Sequence, residues 1–258
     1  MKKKWQVYTK GWTCVLITKK LPRLTKFQWV VHIGSLTPLA WLCVDALQGN
    51  LTVNPIQDIT FRTGIDALVM LVLSLACTPI FTLFGFKPAL KVRRALGLYA
   101  FLYVSLHFLT FVGLDYEFDL GLLKEAIFEK RYALVGFAAF LILTPLAITS
   151  TKGWMKRMGK NWKRLHKLVY LAGVLAVIHY IWLVKSDIRV PLEYAAVVAL
   201  LLVARIPTVR KWASSIRYKA GGWVNPAAGI VGRIFSFRRK QALYRGNRSE
   251  IATGQVNE

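Results

Sequence analysis

The sequence predicts an all-α, polytopic membrane helical bundle of six transmembrane helices. Three observations predict it. The 258 residues are 55% hydrophobic, above the roughly 45–50% of an ordinary globular domain. A positive mean hydropathy of +0.42 coexists with a net charge of +24. Apolar runs of membrane-spanning length recur along the chain, separated by short charged connections. A soluble nucleic-acid binder matches the charge but not the apolar runs. A membrane protein with basic cytoplasmic loops matches both, so nucleic acid is not an expected partner.

A span needs about 20 mostly apolar residues. The first run is Phe27–Leu47 and the second is Ile65–Phe84, broken by Pro79 near its end. The third is Ala95–Val112, and the fourth is Tyr132–Ser150 with Pro145 inside. The fifth is Leu168–Val184, and the sixth, shortest, is Leu192–Ile206, stopped by Pro207. Residues 1–26 then form a basic N-terminal segment, 27–206 the six-helix core, and 207–258 a basic tail suited to a lipid surface. Between spans three and four, residues 120–128 carry Leu120, Leu123 and Ile127 at helical spacing, the pattern of a short interfacial helix.

The charges orient the bundle. Of the 36 Lys and Arg, all but Arg62, Lys124, Lys130, Arg131, Lys185 and Arg189 lie in the N-terminal segment, the 85–94 loop, the 151–167 loop or the tail from Arg205. Of the 12 acids, only Glu250 and Glu258 lie on that basic side. Lys and Arg bias marks cytoplasmic loops, so both termini are expected on the cytoplasmic side of the membrane. The MKKK start leads into no apolar core with a cleavage site, so no signal peptide is expected.

Cys14, Cys43 and Cys77 stand apart, with no CxxC, CxxCH or zinc spacing. Covalent haem attachment and cysteine-ligated clusters are excluded. No GxGxxG or P-loop occurs, and the tail is too short for a nucleotide-binding domain.

The chemistry lies in four histidines, His32, His107, His166 and His179, each in a span or at its edge. Ionisable residues inside a membrane usually face the bundle interior and mark function. His107 and His179 fall late in spans three and five, which run in the same direction, so they share a depth in the outer half. Two facing imidazoles can ligate a haem iron axially. His166 precedes His179 by thirteen residues, about 20 Å of helix and roughly the same face. Thirteen residues before His107 stands Arg94, so a second, inner haem would need another partner. His32 is the one remaining histidine at suitable depth. Otherwise His166 is a residue of the basic edge and His32 a hydrogen-bonded core residue. Arg62, Arg131 and Lys185 have the depth to meet haem propionates, or to act as interfacial anchors. Arg93 and Arg94 suit an anionic cofactor at the inner face, or the charge bias alone.

The core segments resemble the MsrQ (YedZ) family within the ferric-reductase-like transmembrane domains. The resemblance rests on Asn54-Pro55, Thr63-Gly64, Thr78-Pro79, RRALGLYAF at 93–101 with His107, PLAITS at 145–150, MGKNWKRLHKLVY at 158–170 and HYIWLVK at 179–185. It implies haem b on His107, His166 and His179, together with FMN and use of the quinone pool. It also implies outward electron flow to MsrP, a soluble periplasmic molybdopterin subunit that reduces methionine sulfoxide in proteins. The expected role is an electron-transfer subunit rather than the catalytic one, fed by quinol or a cytoplasmic flavin reductase. The alternatives are a cofactor-free transporter with an intramembrane histidine relay, and a cytochrome b anchor for another oxidoreductase.

Overall fold

The computed structural model describes residues 7–9, 14–16, 24–184, 187–209, 211 and 215. Two three-residue strands, β1 (Val7–Thr9) and β2 (Cys14–Leu16), pair antiparallel near the N-terminus. The rest of the described fold is helical, in agreement with the expected class. Most of the basic tail and of the N-terminal segment lies outside the described residues.

The helices are α1 (Lys26–Gln48), α2 (Pro55–Phe84), α3 (Lys87–Thr110), α4 (Leu120–Glu129), α5 (Arg131–Ile148), α6 (Lys152–Met158), α7 (Lys160–Leu165), α8 (Leu168–Leu183) and α9 (Arg189–Val203). A π-helical turn, Phe111–Asp115, extends α3. Among the described residues, five segments are long and apolar enough to cross a membrane: α1, α2, α3 with its π turn, α5, and α7 joined to α8. The sixth apolar helix, α9, has 15 residues, about 22 Å at 1.5 Å per residue and short of a typical hydrocarbon core.

Local chemistry sets the ends. Thr25 and Gln28 form a capping box at the start of α1. Asn54 caps α2 with Pro55 in its first turn, and Asp119 caps α4. Gly85 ends α2 with a φ of 70°, a left-handed turn that glycine enters without steric cost.

The second span was expected from Ile65, yet α2 begins ten residues earlier. The cause is Arg62. Its Nη1 donates to Asp45 of α1 at 2.5 Å and its Nε to Asp58 at 3.0 Å. Two carboxylates neutralise the guanidinium, so the helix passes through a charge that the hydropathy pattern reads as a boundary.

α2 packs most extensively on α3, and α5 on α8. The main core joins these four helices through residues such as Leu71, Leu96, Ala100, Tyr103, Leu143 and Ala172. A second cluster, Leu68, Val177, Tyr180 and Val198, seats α9 against α2 and α8. Outward, residues such as Trp41, Leu47 and Leu200 are well exposed, as expected of a lipid-facing surface.

Two prolines leave gaps in helix ladders, and other helices fill them. At Pro38 of α1, the Tyr103 hydroxyl accepts from the Leu39 amide at 3.1 Å and donates to the Ser35 carbonyl at 2.7 Å. A fully buried side chain of α3 thus enters the α1 backbone. Pro79 cannot donate to the Leu75 carbonyl four residues earlier. Arg205, just past α9, donates its Nη2 to that carbonyl at 2.7 Å and lies over the Tyr170 ring at 4.7 Å.

Candidate haem site

His107 on α3 and His179 on α8 face each other with ring centres 6.1 Å apart and planes at 85°. Each is held by a carbonyl of the helix beside it. His107 Nδ1 lies 2.7 Å from the Thr60 carbonyl of α2, and His179 Nδ1 lies 2.7 Å from the Tyr132 carbonyl of α5. A carbonyl only accepts, so both Nδ1 atoms carry the proton. Both Nε2 atoms keep their lone pairs, the tautomer that binds a metal.

These residues fit a haem iron. A metal–nitrogen bond of about 2.0–2.1 Å plus the ring radius puts two axial ring centres about 6.4 Å apart, close to the observed 6.1 Å. Among the described residues no cluster of three or more His, Cys, Asp or Glu could hold a bare metal ion. Two facing imidazoles suit a metal whose other ligands belong to a macrocycle. Phe101, Phe108, Phe137 and Phe140 stack between α3 and α5, with the closest pair, Phe108 and Phe140, 4.6 Å apart. They form an apolar seam between these two helices.

The other two histidines are not brought together. His166 caps α7, stacks on Trp162 at 4.0 Å and places Nε2 3.1 Å from the Thr149 hydroxyl. That hydroxyl already donates to the Pro145 carbonyl at 2.6 Å, so it accepts from His166 and Nε2 carries a proton. His32 Nδ1 instead meets the Tyr99 hydroxyl of α3 at 2.8 Å.

The basic candidates separate as well. Arg62 is committed to Asp45 and Asp58. Arg131 opens α5 and lines a shallow depression with Trp182 and with Tyr132, whose carbonyl anchors His179. Arg93 donates to Thr78 at 3.2 Å. Lys185 lies outside the described residues. At the acidic end, Lys130 donates to the Tyr116 hydroxyl at 3.0 Å, which holds its ammonium above the ordinary lysine range.

Sequence reasoning placed the histidines but not their supports. Thr60, Gly64, Tyr132 and Gly136 act through backbone or through empty space, which side-chain chemistry does not flag. The signal available was a repeat: Thr60 and Tyr132, Gly64 and Gly136, His107 and His179 are each 72 residues apart.

Residues 63–177 match the family model described as a ferric reductase like transmembrane component. With the paired helices and facing histidines, this places the chain in the class of ferric-reductase-like transmembrane proteins. A relative from Xanthomonas euvesicatoria pv. vesicatoria (strain 85-10), named protein-methionine-sulfoxide reductase heme-binding subunit MsrQ, is 46% identical over 183 residues, 69% of this chain and 84% of the relative. One of the same name from Rhodospirillum rubrum is 45% identical, covering 70% and 88%. Another, from Xanthomonas campestris pv. campestris (strain 8004), is 43% identical, covering 74% and 90%. The chain belongs to the MsrQ family.

Proposed function

We propose that this protein is the haem-binding, electron-transferring membrane subunit of a methionine sulfoxide reductase system, with His107 and His179 as axial ligands of a b-type haem. The single observation that carries this is the pair of carbonyl-anchored imidazoles with ring centres 6.1 Å apart. Bound haem would supply one-electron transfer without protein acid–base chemistry. The residues of the chain have other tasks. The Thr60 and Tyr132 carbonyls keep each ring in the ligating tautomer. Arg131, exposed at the acidic end, is the residue proposed to meet a propionate.

The charge bias supports an orientation with both termini cytoplasmic and the His107–His179 level in the periplasmic half. Electrons would then leave towards the periplasmic molybdopterin subunit MsrP. Quinol or a cytoplasmic flavin reductase would be the donor. Family resemblance adds FMN, to which no residue is assigned. The chain is read as the electron-transfer subunit, not the catalytic one.

The test is the dithionite-reduced minus oxidised spectrum of purified protein with His107→Ala and His179→Ala. Sharp low-spin b-type bands in the wild type that collapse in both variants are expected. Wild-type protein without haem bands after haem-supplemented expression would overturn the cytochrome reading in favour of a transporter with a histidine relay.

A further inference from the structure

We infer that Gly64 and Gly136 are positioning residues for the two axial imidazoles, and that with the Thr60 and Tyr132 carbonyls they set the crossed arrangement of the rings. The inference rests on the proposed haem reading and adds residues to it.

The geometry at the two glycines is specific. A Cβ added to Gly136 would stand 2.6 Å from His179 Nδ1 and 2.8 Å from Cε1. One added to Gly64 would stand 3.0 Å from His107 Nδ1 and 3.1 Å from Cε1. In both cases the obstructed atoms belong to a ring held 2.7 Å from a carbonyl one helical turn earlier, at Thr60 or Tyr132. The ring therefore lies flat on a smooth stretch of the neighbouring helix. The carbonyl fixes its edge and the glycine admits its face. A Cβ at Gly136 would push its ring off the carbonyl, and one at Gly64 would displace its ring by a few tenths of an ångström, so space and hydrogen bond act together.

The device occurs twice. Each histidine follows its anchoring carbonyl by 47 residues, and the glycine sits four residues after that carbonyl in both copies. Gly34 supplies the contrast: it is also mid-helix, on α1, yet a Cβ there would meet nothing within 4 Å. Among the described glycines, an added Cβ would meet a histidine ring at Gly64 and Gly136, whereas at Gly113, Gly121 and Gly173 the near neighbour is Phe118, Asp119 or Leu75. Because the two copies approach from different helix pairs, the ring planes cross at 85°. Near-perpendicular axial imidazoles give ferric low-spin haem a highly anisotropic electron paramagnetic resonance signal with a large maximum g value.

The test compares wild type, Gly136→Ala, Gly64→Ala and Gly34→Ala as full-length protein in detergent, reading haem per chain, low-spin bands and the resonance signal. Wild type and Gly34→Ala should share the highly anisotropic signal and full occupancy. Gly136→Ala should weaken haem affinity by about tenfold, the scale of losing an orienting partner of a metal ligand. Gly64→Ala, with the longer contact, should keep its haem and shift the maximum g value. It keeps the test readable if Gly136→Ala does not accumulate. Wild-type occupancy and an unchanged signal in both Gly136→Ala and Gly64→Ala would overturn the inference while leaving the haem reading intact. A wild type without haem would overturn that reading instead.

Discussion

At the scale of single residues, the four histidines divide by what their ring nitrogens touch. His107 and His179 give Nδ1 to a carbonyl and leave Nε2 bare. His166 gives Nε2 to a hydroxyl, and His32 gives Nδ1 to another. Depth along the helices was legible in the sequence, because residue numbers convert to rise. Ring partners were not, since Thr149 and Tyr99 come from other helices. Ligation of a second, inner haem by His166 through Nε2 would break its bond to Thr149. The expectation follows that His32→Ala leaves the low-spin bands of the outer site at wild-type intensity, whereas His179→Ala removes them. Titrating haem into purified apo-protein of each variant measures this. Equal loss in both would place His32 in the primary haem site.

At the scale of elements, the helix breaks are where the sequence and the fold differ most informatively. Pro79 reads as a break near the end of the second run, yet Pro38, Pro79 and Pro145 each lie inside a continuous helix. What rescues the first two is a polar group from a distant segment, Tyr103 or Arg205, which no local pattern indicates. Tyr103→Phe should destabilise the protein by about 1–3 kcal/mol for each group left unpaired, the amide of Leu39 and the carbonyl of Ser35. Arg205→Met should cost less. It orphans the Leu75 carbonyl but also removes a guanidinium whose Nε is buried without a partner among the described residues, and burying an unpaired polar group is itself unfavourable. Unfolding in graded detergent, followed by loss of helical circular dichroism, ranks the two. A Tyr103→Phe variant as stable as wild type would show that the hydroxyl is not what holds the α1 ladder at Pro38.

At the scale of the whole molecule, hydropathy located the apolar helices to within a few residues, apart from the starts of α2 and α3, the latter helical from Lys87 through the basic stretch before Ala95. It succeeded because lipid imposes one rule along an entire span. It failed at Arg62 because a neutralised charge still counts as a charge in a hydropathy sum. The repeat of 72 residues was equally hidden, since it survives in a carbonyl, a glycine and a histidine rather than in a run of similar side chains. Orientation is the property that rests most fully on global charge, and it has a direct test. In a chain with Cys14, Cys43 and Cys77 replaced by serine, single cysteines are placed at exposed Glu125 of α4 and exposed Lys156 of α6. A membrane-impermeant maleimide added to spheroplasts should label the Glu125→Cys chain, and the Lys156→Cys chain only after lysis. That pattern follows because α4 lies on the acid-rich side and α6 among the lysines and arginines that cytoplasmic loops retain. The reverse pattern would put the His107–His179 level in the cytoplasmic half. An acceptor in the periplasm would then face the wrong end of the bundle, and the proposed direction of electron flow would fail even with the haem in place.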